Sequence, residues 1–163
     1  MFTSFNDVTR ECRLYSILQG PVPTNNTTMW KACVSNNTWP YAHFGQVELG
    51  FLQANEVCEE YGGHLAFPHT EEELQQVKQM LYQKEGVKNC CWIGGINNNN
   101  TFEWLDGRPM NMSNSTSLWS PENPSGNGEC IHLWQSSSFR YDDHYCSMKK
   151  QFVCEIDQLS VCD

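Results

Sequence analysis

Basic residues are scarce in this 163-residue chain, which has 10 lysines and arginines against 19 aspartates and glutamates. The resulting formal net charge of −9 excludes the basic surface that nucleic-acid phosphates and anionic lipids require. No hydrophobic run is long enough to cross a bilayer, and charged residues interrupt the N-terminal segment where a secretory signal would be apolar. We therefore expect a leader or membrane anchor to be missing, or the chain to be part of a longer protein.

The motifs of common enzymes are also lacking. The chain contains no Gly-x-Ser-x-Gly elbow and no glycine-rich loop that would hold phosphate. Asp142 and Asp143 are paired carboxylates, but neighbours on one short segment cannot flank a scissile bond as a glycosidase pair does. These absences predict a protein that is not an enzyme.

Cysteine, by contrast, is abundant, with nine residues. No Cys-x-x-Cys pair occurs, and the adjacent Cys90 and Cys91 make poor zinc geometry. Asn-x-Ser/Thr sequons begin at Asn25, Asn26, Asn36, Asn99, Asn111 and Asn114. Asn25 and Asn26 are too close for both to be occupied easily. Cysteines and sequons together favour an oxidising, glycosylating route, so we expect an extracellular glycoprotein, either secreted or the ectodomain of a membrane protein.

The chain divides into three segments. Residues 1–38 form an N-terminal extension, in which Cys12 and Cys33 bracket a Pro- and Asn-rich loop that they could close. Residues 39–156 form the main domain, and residues 157–163 form a C-terminal tail. An apolar share of 39% with six tryptophans is enough for one packed core.

Two helices are predicted early in the main domain. The first has an apolar stripe at helical spacing and is ended by Gly62-Gly63; the stripe consists of Ala54, Val57, Cys58 and Tyr61. The second begins at Thr70, where Glu73 completes a capping box, and ends at Gly86. Its buried side is supplied by Leu74, Val77 and Leu81. Acidic residues in its first turn complement the helix dipole and need no catalytic role.

Short strands account for the rest of the regular structure. They are predicted at Tyr41–Phe44, Cys91–Gly94, Phe102–Trp104, Cys130–Trp134, Ser138–Tyr141 and Phe152–Glu155. Asn97 to Asn100 read as an exposed turn, and residues 106–129 form a long irregular region. The tryptophans Trp92, Trp104, Trp119 and Trp134 are expected to be buried or to anchor loops.

In this order, the parts resemble a C-type lectin-like domain over about residues 39–156. The resemblance is carried by Ala54-x-x-x-Cys58, Gly63-His-Leu-Ala66, Glu71-Glu-Glu73, Trp92-Ile-Gly-Gly95, Phe102-Glu-Trp104-Leu-Asp-Gly107, Trp119, Pro124, Tyr141-Asp-Asp143 and Phe152-x-Cys154-Glu155. Gly95 stands where the family has leucine. The resemblance implies an α+β fold stapled by disulfides, with two helices against small antiparallel sheets and a long irregular loop region.

The family's disulfides imply pairing of Cys58 with Cys154 and of Cys130 with Cys146. Members with an N-terminal extension often carry a further pair, which here would be Cys12–Cys33. Three cysteines then remain: Cys90, Cys91 and Cys162. Because the total is odd, a disulfide-linked dimer and a missing partner module both stay open.

In sugar-binding members of the family, the long loop holds Ca²⁺, which bridges to vicinal sugar hydroxyls. The ligand triplet is Asn123-Pro124-Ser125 in this chain, and Gly128 displaces the following glutamate to Glu129. In an alternative alignment, the ligand triplet is Ser120-Pro121-Glu122, which adds Glu122. The resemblance therefore gives the candidate calcium ligands Glu122, Asn123, Glu129, Asp142 and Asp143. Asn123, Glu129 and Asp142 would also contact carbohydrate. Oxygen donors of these kinds suit Ca²⁺.

The expected function is recognition of glycans or glycoproteins, with Ca²⁺ as the implied cofactor. The alternative is a calcium-independent domain that recognises a protein ligand through the same loop, and the departures at Asn123-Pro-Ser125 and Gly128 favour it. A structural ectodomain fragment linked through its odd cysteine is a third reading.

Overall fold

The structure, a computed structural model, describes residues 40–99, 101–110 and 118–156. These residues form two α-helices, α1 (Phe51–Glu60) and α2 (Glu71–Tyr82). Seven strands accompany them: β1 (Tyr41–Leu49), β2 (Gly63–Leu65), β3 (Cys90–Asn98), β4 (Thr101–Trp104), β5 (Cys130–Trp134), β6 (Arg140–His144) and β7 (Lys150–Ile156). The predicted α+β class is confirmed.

Both helices follow the signals in their sequences. In α1 the buried residues Ala54, Val57 and Cys58 face the sheet, and Gly62 follows the helix with φ of +80°. In α2 the capping box is present: the Thr70 amide donates to Glu73 Oε2 (2.9 Å), and the Glu73 amide donates to Thr70 Oγ1 (3.2 Å). The helix ends at Tyr82 and not at Gly86, which instead takes a positive φ in the turn beyond.

The strands join in one sheet with the central order β1-β7-β3-β5-β6, while β2 pairs with β7 and β4 pairs with β3. All of these pairs are antiparallel except β3 with β7, which run parallel. The sheet is therefore mixed. The parallel contact places the start of β3 beside the start of β7, which brings Cys90 close to Lys150.

The hydrophobic core lies in two clusters packed on the sheet. One contains α2 and the aromatic side chains Trp104, Trp119 and Tyr141, and the other contains α1, Trp92 and Phe152. The Trp92 indole donates its buried N–H to the Leu49 carbonyl (3.0 Å), so this large side chain leaves no unpaired donor. Trp134, expected to be buried or to anchor a loop, is 36% exposed because it lies on the outer side at the end of β5.

Two disulfides hold the domain together. Cys58 in α1 is bonded to Cys154 in β7, and Cys130 at the start of β5 is bonded to Cys146. These are the pairings that the resemblance implies. Cys90 and Cys91 are free among the described cysteines.

Several sequence-based predictions lie outside the described residues. These are the Cys12–Cys33 loop in the extension of residues 1–38, the tail of residues 157–163 with Cys162, and the sequons at Asn25, Asn26, Asn36, Asn111 and Asn114. Asn99 is described: it is exposed after β3 with φ of +51°, and its glycosylation stays a prediction.

Candidate functional site

Backbone bonds to β6 position the first part of the irregular loop. The Tyr141 amide donates to the Leu118 carbonyl (2.8 Å), and the Ser120 amide donates to the Tyr141 carbonyl (2.9 Å). Trp119 packs edge-on against both Phe102 and Tyr141 and is 3% exposed. The loop therefore begins as an extension of the sheet, anchored by a buried aromatic side chain.

Asn123 is held by its own amide group. Its Nδ2 donates to Ser120 Oγ (2.9 Å) and to the Pro121 carbonyl (3.3 Å), while its backbone amide donates to the Ser120 carbonyl (3.1 Å). Both amide hydrogens are thus directed back into the loop, and the following peptide bond to Pro124 is cis. The side-chain oxygen Oδ1 is buried and has no hydrogen-bond partner among the residues that the structure describes.

Asp143 is the most buried of the candidate ligands, with 1% exposure. Its Oδ1 accepts hydrogen bonds from the Ser125 amide (2.5 Å) and from Ser125 Oγ (3.2 Å). Its Oδ2 is buried without a donor within the described part of the chain. Desolvation of a carboxylate oxygen is costly unless a donor or a cation compensates it, so this oxygen is the strongest local indication of a missing partner.

Asp142 points to a different neighbour. Its Oδ2 lies 3.2 Å from Nε2 of His132, whose side chain is almost fully buried in β5. The contact is close but poorly aligned, because neither ring nitrogen of His132 has a hydrogen bond of good geometry to a described residue. Burial lowers the pKa of His132, and Asp142 opposes that shift.

Asp142 and Asp143 belong to a regular strand and do not follow one that ends at Tyr141, as the predicted strand Ser138–Tyr141 does. Both lie in β6, opposite His132 and Ile131 of β5. The predicted strand Ser138–Tyr141 is displaced to Arg140–His144, because Ser138 and Phe139 adopt positive φ (58° and 52°) and cannot continue a strand.

Glu122 and Glu129 are exposed, whereas Asp143 is buried. Glu122 has φ of +67°. Glycine at position 128 is required by the fold: a Cβ there would clash with the His144 carbonyl group and the Tyr145 amide nitrogen. The family's glutamate cannot occupy this position without displacing the strand, which gives a physical reason for the departure.

The structure therefore links Ser125 with Asp143 and Ser120 with Asn123, and within the described residues Asn123 and Asp143 each keep one buried oxygen without a hydrogen bond. In the described residues, no three His, Cys, Asp or Glu side chains are grouped as a metal site. Ser125, which bonds to Asp143, was not among the predicted site residues, although its place as the third member of the loop triplet was a signal that could have suggested it.

Comparison with known proteins identifies the family. The family model for the lectin C-type domain matches residues 47–156. Salivary C-type lectin 1 of Aedes albopictus is 31% identical over 122 residues, covering 69% of this chain and 79% of the relative. The chain belongs to the C-type lectin domain family.

Solved structures show the same fold. Human lithostathine superposes with a TM-score of 0.64 at 23% identity, covering 76% of this chain and 96% of that protein. SPL-1, solved in complex with GlcNAc, superposes with a TM-score of 0.62 at 20% identity, covering 75% of this chain and 93% of that protein.

Members of this family are non-enzymatic recognition modules, which confirms the prediction that the chain is not an enzyme. Neither described helix is long and apolar enough to span a membrane.

Proposed function

We propose that this chain is an extracellular recognition domain that binds carbohydrate at the face formed by residues 118–129 and the end of β6. Membership of the C-type lectin family and the lectin among its relatives support a glycan as the ligand class. The acidic balance of the chain is compatible with this, since a neutral sugar needs no basic surface. The disulfides and the Asn99 sequon at an exposed turn support an extracellular location and glycosylation.

The observation that carries the proposal is the pair of unsatisfied buried oxygens, Asn123 Oδ1 and Asp143 Oδ2. Amide and carboxylate oxygens are ligands that Ca²⁺ prefers. The other polar atom of each side chain is already engaged: Asn123 Nδ2 donates to Ser120 Oγ and the Pro121 carbonyl, and Asp143 Oδ1 accepts from the Ser125 amide. These bonds fix the two side chains in place. This part of the donor set fits Ca²⁺, so Asn123 and Asp143 would hold the ion.

Ca²⁺, when bound, would accept sugar hydroxyls as further oxygen ligands. The chain's own contribution is to orient Asp143 through Ser125, to orient Asn123 through Ser120, and to keep both oxygens out of bulk water. Glu122, Glu129 and Asp142 remain candidates for completing the shell. Asp142 would then have to exchange its contact with His132 for the ion.

Retention on immobilised glycans, measured with calcium and with chelator, tests the proposal. We expect retention in calcium, release by chelator, and loss of retention in Asp143→Asn, because the amide removes the negative charge at almost unchanged shape. Glu60→Gln is the matched control, since Glu60 is an exposed carboxylate at the end of α1. Retention by Asp143→Asn equal to that of the control would contradict a cation held at this position.

A second function, calcium-independent recognition of a protein ligand, is favoured by one observation. The contact of Asp142 with His132 and the exposure of Glu122 and Glu129 leave only two of the five candidates with unsatisfied buried oxygens. Under this alternative, binding to a protein ligand would persist in chelator and would be unaffected by Asp143→Asn.

A further inference from the structure

Lys150 is a cation buried in the sheet, and no carboxylate of the described residues pairs with it. Its side chain is 7% exposed, and Nζ lies 5.0 Å from the centre of the Trp92 ring. Within the described residues, the ammonium makes no ion pair with Asp or Glu. A buried charge of this kind is costly unless another group compensates it, and a tryptophan face does so only in part.

The group that Lys150 contacts is the free thiol of Cys90. Nζ lies 3.1 Å from Cys90 Sγ, within hydrogen-bonding distance for sulfur. The two residues meet because β3 and β7 run parallel and the pair Cys91–Gln151 is in register, which brings the preceding residues side by side. An ammonium directed at a sulfur atom stabilises the thiolate, which is the reactive form of cysteine.

The neighbouring Cys91 differs from Cys90 in its exposure to solvent. Cys91 is fully buried, and burial raises the pKa of its thiol above the ordinary value. Side chains alternate across a strand, so Cys91 points into the core while Cys90, at the first position of β3, remains partly exposed. A reagent in water therefore reaches Cys90 and does not reach Cys91.

We propose that Cys90 is a reactive thiol, assisted by Lys150, that forms a mixed disulfide with small-molecule disulfides of the extracellular medium. The Cys90 thiolate attacks one sulfur of the disulfide, an Sγ–S bond forms, and the original S–S bond breaks. Cys90 is oxidised, the departing sulfur is reduced and leaves as a thiolate, and the thiol proton passes to solvent. Lys150 Nζ keeps its hydrogen bond to Sγ until the bond to the new sulfur is made.

The site is separate from the proposed carbohydrate face. Along β3, Cys90 pairs with Trp134 at one end of β5, whereas Ile96 pairs with Cys130 at the other end, next to Glu129. The fate of Cys90 therefore does not depend on whether a glycan or Ca²⁺ binds near Asp143.

Competitive alkylation followed by peptide mapping tests the proposal on the intact chain. Glutathione disulfide serves as the exchange probe and iodoacetamide as the alkylating probe, with Lys150→Met as the variant and Lys88→Met as the matched control. Lys88 is an exposed lysine that pairs with Glu48. We expect Cys90 to be modified by both probes in the native protein and Cys91 to be protected.

The expected size of the effect follows from one charge-assisted hydrogen bond. Removing the ammonium that faces Sγ removes this hydrogen bond to the attacking sulfur, and the expected effect on the exchange rate is about threefold. Cys90 in Lys150→Met should react about threefold more slowly than in the parent, while Lys88→Met leaves the rate unchanged. The parent in urea, where Lys150 is no longer adjacent, should show the same slowing, so the test holds even if Lys150→Met does not fold.

Two results would overturn the proposal. One is a native Cys90 that reacts no faster than in urea. The other is a mature protein in which peptide mapping finds Cys90 already joined to another cysteine of this chain or of a second copy.

Discussion

Gln151 offers a sharp test of how the sheet and its surrounding loops are held together. The side chain is 1% exposed in β7 and makes four hydrogen bonds. Its Nε2 donates to the Gly45 carbonyl (2.7 Å) and the Gly86 carbonyl (3.1 Å). Its Oε1 accepts from the Lys88 amide (2.8 Å) and contacts His43 Nε2 (3.2 Å). One amide group thus joins β1, β7 and the segment between α2 and β3.

Gln151→Leu keeps the approximate volume and removes all four bonds. His43 is buried and Gly45 is partly buried, and each loses its hydrogen bond to Gln151, at about 1 to 3 kcal/mol each. Gly86 and Lys88 are exposed, so water replaces part of what their backbone groups lose. We expect the free energy of unfolding to fall by about 3 kcal/mol in total, which corresponds to about 10 °C in melting temperature for a domain of this size.

Urea unfolding followed by tryptophan fluorescence measures this loss under non-reducing conditions. Gln75→Leu is the matched control, because Gln75 is exposed on α2 and the same substitution there removes no buried hydrogen bond. A loss below 1 kcal/mol for Gln151→Leu would show that the four contacts contribute little and would refute the reasoning.

Three further predictions concern stability. Replacing both Cys58 and Cys154 by alanine removes a disulfide between residues 96 positions apart. Chemical unfolding should then show that the free energy of unfolding falls by about 4 to 5 kcal/mol, and a fall of under 1 kcal/mol would contradict this prediction. Burial lowers the pKa of His43 from 6.5 to about 4. As the pH falls from 6.5 to 4, the unfolded chain binds a proton that the folded chain does not, so the free energy of unfolding should fall by about 3 kcal/mol. A pH profile that is unchanged in His43→Gln would argue against this cause. Gly128→Ala places a methyl group against the His144 backbone and should cost about 1 to 3 kcal/mol in a thermal melt, whereas an unshifted melt would show that the loop yields freely.

Local signals in the sequence were sufficient for the helices and for several strands. The capping box at Thr70 and the stripe of α1 depend on residues within one or two turns, and both appear as predicted. The strand Cys130–Trp134 has the predicted bounds. The family resemblance supplied the long-range information, including both disulfide pairings, that local patterns do not contain.

The rest depended on register and on unusual backbone conformations. Ser138 and Phe139 take positive φ without being glycine, so nothing local indicated that β6 would begin at Arg140 and include both aspartates. The contact of Asp142 with His132 and that of Lys150 with Cys90 follow from strand pairing, which single-residue preferences do not specify. For the candidate ligands, the sequence did not indicate that Asn123 and Asp143 would have buried oxygens while Glu122 and Glu129 would be exposed.

The central claim is that Asn123 and Asp143 hold a calcium ion in the folded domain, and a thermal melt with calcium and with chelator tests it most directly. A calcium concentration ten times the dissociation constant stabilises the folded state by about 1.4 kcal/mol, which raises the melting temperature by about 4 °C. Since extracellular calcium sites have dissociation constants of about 0.1 to 1 mM, 10 mM calcium should raise the melting temperature of the parent and leave Asp143→Asn unmoved. Equal melting temperatures of the parent in 10 mM calcium and in chelator would contradict the claim.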